Sequence, residues 1–246
     1  MATQTESSSE IYIRKHTRRE FRERMASGEL QACILPVAAI EQHLEHMEME
    51  HDWRSVSLMA RLVAESRRPN VLIAEGLMAG ISEHHMTHPG TMSLRPGTFL
   101  TVLNDLVSSV VRAGFTNLLV LNGHGGNMAA CHSNWDQFLR EFKVNLHFLS
   151  YWDLLGAEDA ELLEGGSRIP DDMPGHAQEF ETSIGLAYFP ENVRQDMWTD
   201  QVDQSPSLAT AEKGKWFTER IVQRVGEYLD AMISGKKVNE VPPYYS

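Results

Sequence analysis

Four clusters of this chain combine residue types that hold metal ions and move protons. They are Glu41-Gln42-His43 with Asp52, the run Asn122-Gly123-His124-Gly125-Gly126-Asn127, His176 with Glu179 and Glu181, and the histidines of the 84–88 segment. The first cluster follows an apolar run, Ala32 to Ile40. In an extended chain residues i and i+2 project to the same side, so Glu41 and His43 can reach one point beyond a strand end. Asp52, read as the N-cap of the next helix, brings a third ligand-type side chain back to that edge. A carboxylate-plus-imidazole set suits Zn, Mn, Fe or Ni. A polar strand end running into a solvated acidic loop (Glu45, His46, Glu48, Glu50, His51) accounts for the same letters.

The second cluster also lies between a buried apolar run and a helical pattern. Open parallel sheets place their ligand sites at such carboxyl ends. Its glycines allow a tight turn and a close approach of backbone N–H groups to a ligand. No Lys-Ser/Thr follows and the spacing is not G-x-G-x-x-G, so neither nucleotide-binding motif applies. In the third cluster, carboxylates at a helix start are favoured by the macrodipole alone, whereas His176, five residues before Glu181, is placed for acid–base work. His84 and His88 have i, i+4 spacing, but Pro89-Gly90 stops any helix there, so a helical two-histidine site is not expected.

The elements that must position these residues alternate. The pattern predicts helix over 16–28, strand over 32–40, helix over 52–67, strand over 71–74, helix over 98–113, strand over 117–121, helix over 126–142, strand over 146–150, and helices over 179–189 and 208–233. Segment 11–15 is expected to pair loosely, and residues 1–10 to be disordered. Connections too long for hairpins argue for a single α/β domain over 11–246, a three-layer α/β/α sandwich with a mainly parallel sheet.

Composition narrows the function. With 246 residues the fold buries enough surface to stand without a structural metal, so a metal here would serve chemistry. A net charge of -12 argues against a nucleic-acid partner. The basic residues from Arg14 to Arg24 alternate with Glu20 and Glu23 and read as a solvated helix face. Cys33 and Cys131 have no C-x-x-C partner and read as buried thiols of a reducing compartment. A polar N-terminus and the absence of a long apolar run point to a cytoplasmic protein without a membrane span.

In order along the chain, LPVAAIEQH with Asp52, then His85 four residues before Pro89-Gly90-Thr91, then NGHGGN, then HAQEFETS resemble the creatininase (creatinine amidohydrolase) family over about residues 33–190. The resemblance implies a single α/β/α domain, homo-oligomers (often hexamers), and hydrolysis of cyclic or linear amide C–N bonds in a small molecule. It implies two divalent metal ions, zinc foremost with manganese or iron as alternatives, held by Glu41, His43, Asp52 and His124, with Asp52 bridging. Creatininase itself has a further ligand Glu two residues after the N-G-H histidine, where this chain has Gly126; Glu181 is expected to supply the fifth ligand. The segment after E-Q-H also departs from the family's Gly-Pro-His-Leu-Pro-like run, which weakens creatinine as the substrate. The reading places Glu41 and His124 on one ion and His43 and Glu181 on the other, with a metal-bridging hydroxide as nucleophile. His176 then protonates the leaving nitrogen, and the 125–127 turn (Gly125, Gly126, Asn127) with Trp152 faces the substrate. Tyr151, Arg54 and Arg95 are weaker pocket candidates. Deformylation, small-peptide cleavage and a non-catalytic metal-binding oligomer are the alternatives.

Overall fold

Alternation along four apolar runs decides the layers. Ala32 and Ile34 point to one side of the sheet and Cys33, Leu35 and Val37 to the other; Leu119 and Leu121 oppose Leu118 and Val120 in the same way. A strand apolar on both faces needs cover on both, and helices supply it. In the computed structural model, which describes residues 10–244, the strands are β1 (Ala32–Val37), β2 (Val71–Ile73), β3 (Asn117–Asn122) and β4 (Asn145–Ser150). They form one parallel sheet of order β2-β1-β3-β4.

The helices are α1 (Arg18–Ala26), α2 (His51–Ser66), α3 (Pro96–Arg112), α4 (Met128–Phe142), a short α5 (Ala157–Ala160), α6 (Glu179–Tyr188) and α7 (Ala211–Ile233). Val56, Met59 and Val63 of α2 pack on one face of the sheet with Phe180 of α6 and Phe217, Ile221 and Val225 of α7. Phe99, Leu103 and Val107 of α3 and Phe138 and Leu139 of α4 cover the other face. Each such side chain contributes roughly 1.5–3 kcal/mol by leaving water. The three-layer sandwich expected from the sequence is therefore the observed fold.

The connections place the site. The chain leaves β1 into α2 on one face and leaves the adjacent β3 into α4 on the other. Helices departing in opposite directions open a crevice between neighbouring strand ends, where ligands bind in open α/β sheets. The Glu41–His43 cluster and the Asn122–Asn127 run both lie at this crevice.

Several boundaries differ from expectation. β1 ends at Val37, not Ile40, because β3 turns away after Asn122 and residues 38–40 bond instead to the loop between β2 and α3, through Ala38 N–H to Leu77 O and Met92 N–H to Ile40 O. α4 starts at Met128, because Gly125–Asn127 forms a 3-10 turn. α7 starts at Ala211, where the Thr210 hydroxyl accepts from Lys213 N–H. Asp52 is not an N-cap: Glu50 holds that position, and Asp52 lies inside the first turn with its carboxylate directed into the crevice. Arg24 departs from the solvated-face reading; it is buried, paired with Glu29 and donating to the carbonyls of Glu10 and Pro69. The predicted loose pairing of 11–15 is present as Ile73 N–H to Ile11 O, 2.7 Å. The segment expected to be disordered lies, apart from Glu10, outside the described residues.

Candidate metal centre

Asp52 is the middle of the site. Its Oδ1 lies 3.0 Å from His43 Nε2 and its Oδ2 lies 2.9 Å from His124 Nδ1, so one carboxylate faces two imidazoles from two strand ends. Glu41 approaches from β1, its Oε1 3.4 Å from His124 Nδ1, and Glu181 from α6, its Oε2 3.9 Å from His43 Nε2. All five residues are buried. Gly123 makes the convergence possible: a Cβ there would meet Val56 Cβ at 2.7 Å and Asp52 O at 2.9 Å, so only glycine lets α2 come this close to β3.

Each imidazole is oriented by its other nitrogen. His43 Nδ1 donates to Glu41 O at 3.0 Å, and His124 Nε2 donates to Ile81 O at 2.9 Å. A carbonyl can only accept, so these bonds fix the tautomers and leave His43 Nε2 and His124 Nδ1 facing Asp52 as lone pairs in the neutral rings. This is how metal-ligating histidines are held. Glu41 takes a hydrogen bond from the Ser82 hydroxyl, and Glu181 one from Ala177 N–H at 2.6 Å.

The electrostatics are those of a site short of positive charge. Burial opposes charging of His43 and His124, yet Asp52 with Glu181, and Asp52 with Glu41, raise them to about 9 and about 10. Burial would raise the Asp52 carboxyl, but the two imidazoles outweigh it and hold it well below the carboxylate range. Burial leaves the Glu181 carboxyl raised to about 7. With His124 neutral, its Nδ1 lone pair faces buried Asp52 Oδ2 and that oxygen accepts no hydrogen bond among the described residues. An orphaned anionic oxygen at full burial is costly, and a cation would satisfy it. The groups His43–Asp52–Glu181 and Glu41–His84–His124 each bring one ligand-type atom within 4.8 Å of one another. Nitrogen and carboxylate donors in this number fit divalent Zn, Mn or Fe.

Around this core lies a cavity of about 300 Å³, lined among others by Gly125, Gly126, Trp152, Pro174 and His176. Asn127, expected to face a substrate, does not. Its amide donates to Ala38 O and Asn122 Oδ1, its oxygen accepts from Ile81 N–H, and its own N–H donates to His124 O. All its polar groups brace the turn. Tyr151 is fully buried in the core beside Trp152, Arg54 pairs with Glu191 elsewhere on the surface, and Arg95 is an exposed residue preceding α3.

Three contributors carried no assigned role in the sequence reading: Gln42, Ser82 and His85. Gln42 Oε1 accepts from Leu44 N–H at 2.9 Å, which settles the amide's orientation. Its NH2 group then donates to His85 Nδ1 and His176 Nε2, each at 2.8 Å. The opposite nitrogens, His85 Nε2 and His176 Nδ1, stand 3.7 and 3.6 Å from Glu41 Oε1. Burial and the charge of His43 lower His176 to about 4, so it is neutral at physiological pH. The signal for Gln42 and His85 was their place inside quoted motifs; Ser82 had no signal beyond lying two residues before the histidine pair.

Comparison with known proteins identifies a family. The profile of the creatininase family, described as creatinine amidohydrolase, matches residues 14–220. The chain is 31% identical to creatinine amidohydrolase of Pseudomonas putida, over 90% of this chain and 97% of that one. It is 27% identical to a mycofactocin precursor peptide peptidase of Mycobacterium ulcerans, over 67% of this chain and 61% of that one. A solved mutant creatininase of the Zn–Zn type superimposes with TM-score 0.77 at 26% identity, covering 90% of this chain and 98% of that one.

Proposed function

Because the chain belongs to the creatininase family, we propose that it is a metal-dependent hydrolase cleaving a cyclic or linear amide C–N bond in a small molecule. The observation that carries this reading is Asp52: a buried carboxylate between two imidazoles of fixed tautomer, with one oxygen lacking a hydrogen-bond partner among the described residues. Glu41 and His124 would hold one divalent cation and His43 and Glu181 the other, with Asp52 shared. Zinc is the first choice, in keeping with the Zn–Zn relative, and manganese or iron also suit the donors. Such cations supply a water nucleophile at neutral pH and neutralise charge that develops on the carbonyl oxygen.

The chain's own groups do the rest. Carbonyls at the other ring positions orient His43 and His124 so that Nε2 and Nδ1, respectively, would be the ligand nitrogens once a cation displaces their protons. His176 is neutral with Nε2 accepting from Gln42; once that hydrogen bond is released, Nε2 would take the proton lost by the attacking water and pass it to the leaving nitrogen. Gly125, Gly126 and Trp152 line the cavity, and the backbone N–H groups of the two glycines would be the donors offered to the substrate oxygen. A cavity of about 300 Å³ suits a small molecule. The family supports a homo-oligomeric assembly, hexamers included, and two buried free thiols suit the cytoplasm.

A second reading, cleavage of a small peptide on the same centre, is favoured by the peptide peptidase relative. A panel of cyclic amides, linear amides, formamides and short peptides separates the two. Elemental analysis with hydrolysis assays of His124→Ala and Asp52→Ala tests the centre itself; full activity in either variant would sink it.

A further inference from the structure

The turn that carries His124 has no space for a side chain at position 126. A Cβ on Gly126 would lie 2.1 Å from Ile81 O, 2.4 Å from His124 Nε2 and 2.9 Å from His84 Cε1. The loop between β2 and α3 occupies that space instead. His84 lies over His124 with ring centroids 5.8 Å apart and planes inclined by 15°. Glu41, His84 and His124 each bring one ligand-type atom within 4.8 Å of the others. Ser82, two residues before His84, hydrogen-bonds Glu41, so the loop that orients Glu41 also orients His84. The neighbouring His85 is committed differently, its Nδ1 accepting from Gln42.

We propose that His84 is a protein ligand of the cation held by Glu41 and His124. That cation then draws a second nitrogen donor from the β2–α3 loop, beside the one His124 supplies from the turn after β3. With the shared Asp52 the set is two imidazoles and two carboxylates, a donor mixture suited to zinc. His84 is exposed and lines the cavity, so this ligand would face solvent as well as the cation. The proposal rests on the two-cation reading above.

The test compares wild type, His84→Ala and His88→Ala after chelator treatment. Each is titrated with Zn2+ against a chromophoric competitor and with Co2+ followed by visible absorption. Wild type is expected to bind two cations. His84→Ala should keep one at wild-type affinity and bind the second at least about tenfold more weakly, with altered Co2+ absorption. His88→Ala, truncated on the same exposed loop, should match wild type. His84→Ala binding both cations at wild-type affinity overturns this inference and leaves the two-cation reading standing. Wild type binding no divalent cation overturns both. Because His84 is exposed, the cation-free variants should melt with wild type; a lowered melt of His84→Ala without any change in cation affinity also overturns ligation.

Discussion

Replacing Gly126 with alanine adds a single methyl group, and the structure says where it must go. It would sit 2.1 Å from Ile81 O and 2.4 Å from His124 Nε2, against a practical floor of 3.0 Å for such contacts. The Ile81 carbonyl is backbone and cannot rotate aside, so it must retreat by about 0.9 Å. That retreat opens its 2.9 Å bond from His124 and strains the 2.9 Å bond from Ile81 N–H to Asn127. Overpacking of this kind costs roughly 1–3 kcal/mol, and loosening a buried hydrogen bond about 1 kcal/mol more. Gly126→Ala should therefore destabilise the cation-free protein by about 2–4 kcal/mol. With its tautomer no longer fixed, His124 should bind its cation roughly 10–100-fold more weakly. Urea unfolding of chelator-treated protein measures the first effect and competitive Zn2+ titration the second. Gly125→Ala is the control: nothing lies within 4 Å of its added Cβ, so stability should stay within about 0.5 kcal/mol. Unchanged unfolding and unchanged Zn2+ binding in Gly126→Ala would refute the reasoning.

Further expectations follow from the same site. Asp52→Asn should lose both cations and Glu181→Ala only one, because Asp52 alone faces both histidines; elemental analysis showing equal losses would contradict a shared carboxylate. In chelator-treated protein the carboxylates raise His43 to about 9 and His124 to about 10, whereas unfolded histidines titrate near about 6.5. The stabilisation from these charged rings is complete below about pH 6.5 and drains away as pH rises toward 9 and 10. Melting temperatures of the stripped protein should fall across that window, and far less with cations bound, since cations replace the protons; a flat profile in the stripped protein counts against the assignment. Gln42→Glu places a carboxylate where the amide donates to two rings, so His176 should rise from about 4 and His85 should rise with it. NMR titration of the imidazole protons reads this directly, and a stationary His176 removes Gln42 as the residue that sets its tautomer.

Much of this protein was legible in its letters because the governing effects are local. Apolar runs of strand length alternating with helical periods demand a covered parallel sheet, and ligand-type residues directly after two of those runs demand a site at its carboxyl edge. Those rules place Glu41, His43 and His124 at that edge, while the resemblance to the creatininase family suggested them as ligands and, through the departure at Gly126, proposed Glu181 as a fifth. Tertiary structure decided what no spacing encodes. Asp52 read as a helix cap because caps are recognised by position, but its carboxylate turns inward where two histidines from different strands compete for it. Asn127 read as a substrate contact because it follows a glycine turn, but three segments meet there and consume its polar groups. Ser82, His84 and His85 lie in a loop without periodicity, and their approach to Glu41 depends on how that loop packs against Gly126. Sequence carries the pattern along one chain direction; which side chains share a point depends on close packing among segments as far as 41 and 134 residues apart in sequence, and only the folded chain fixes that.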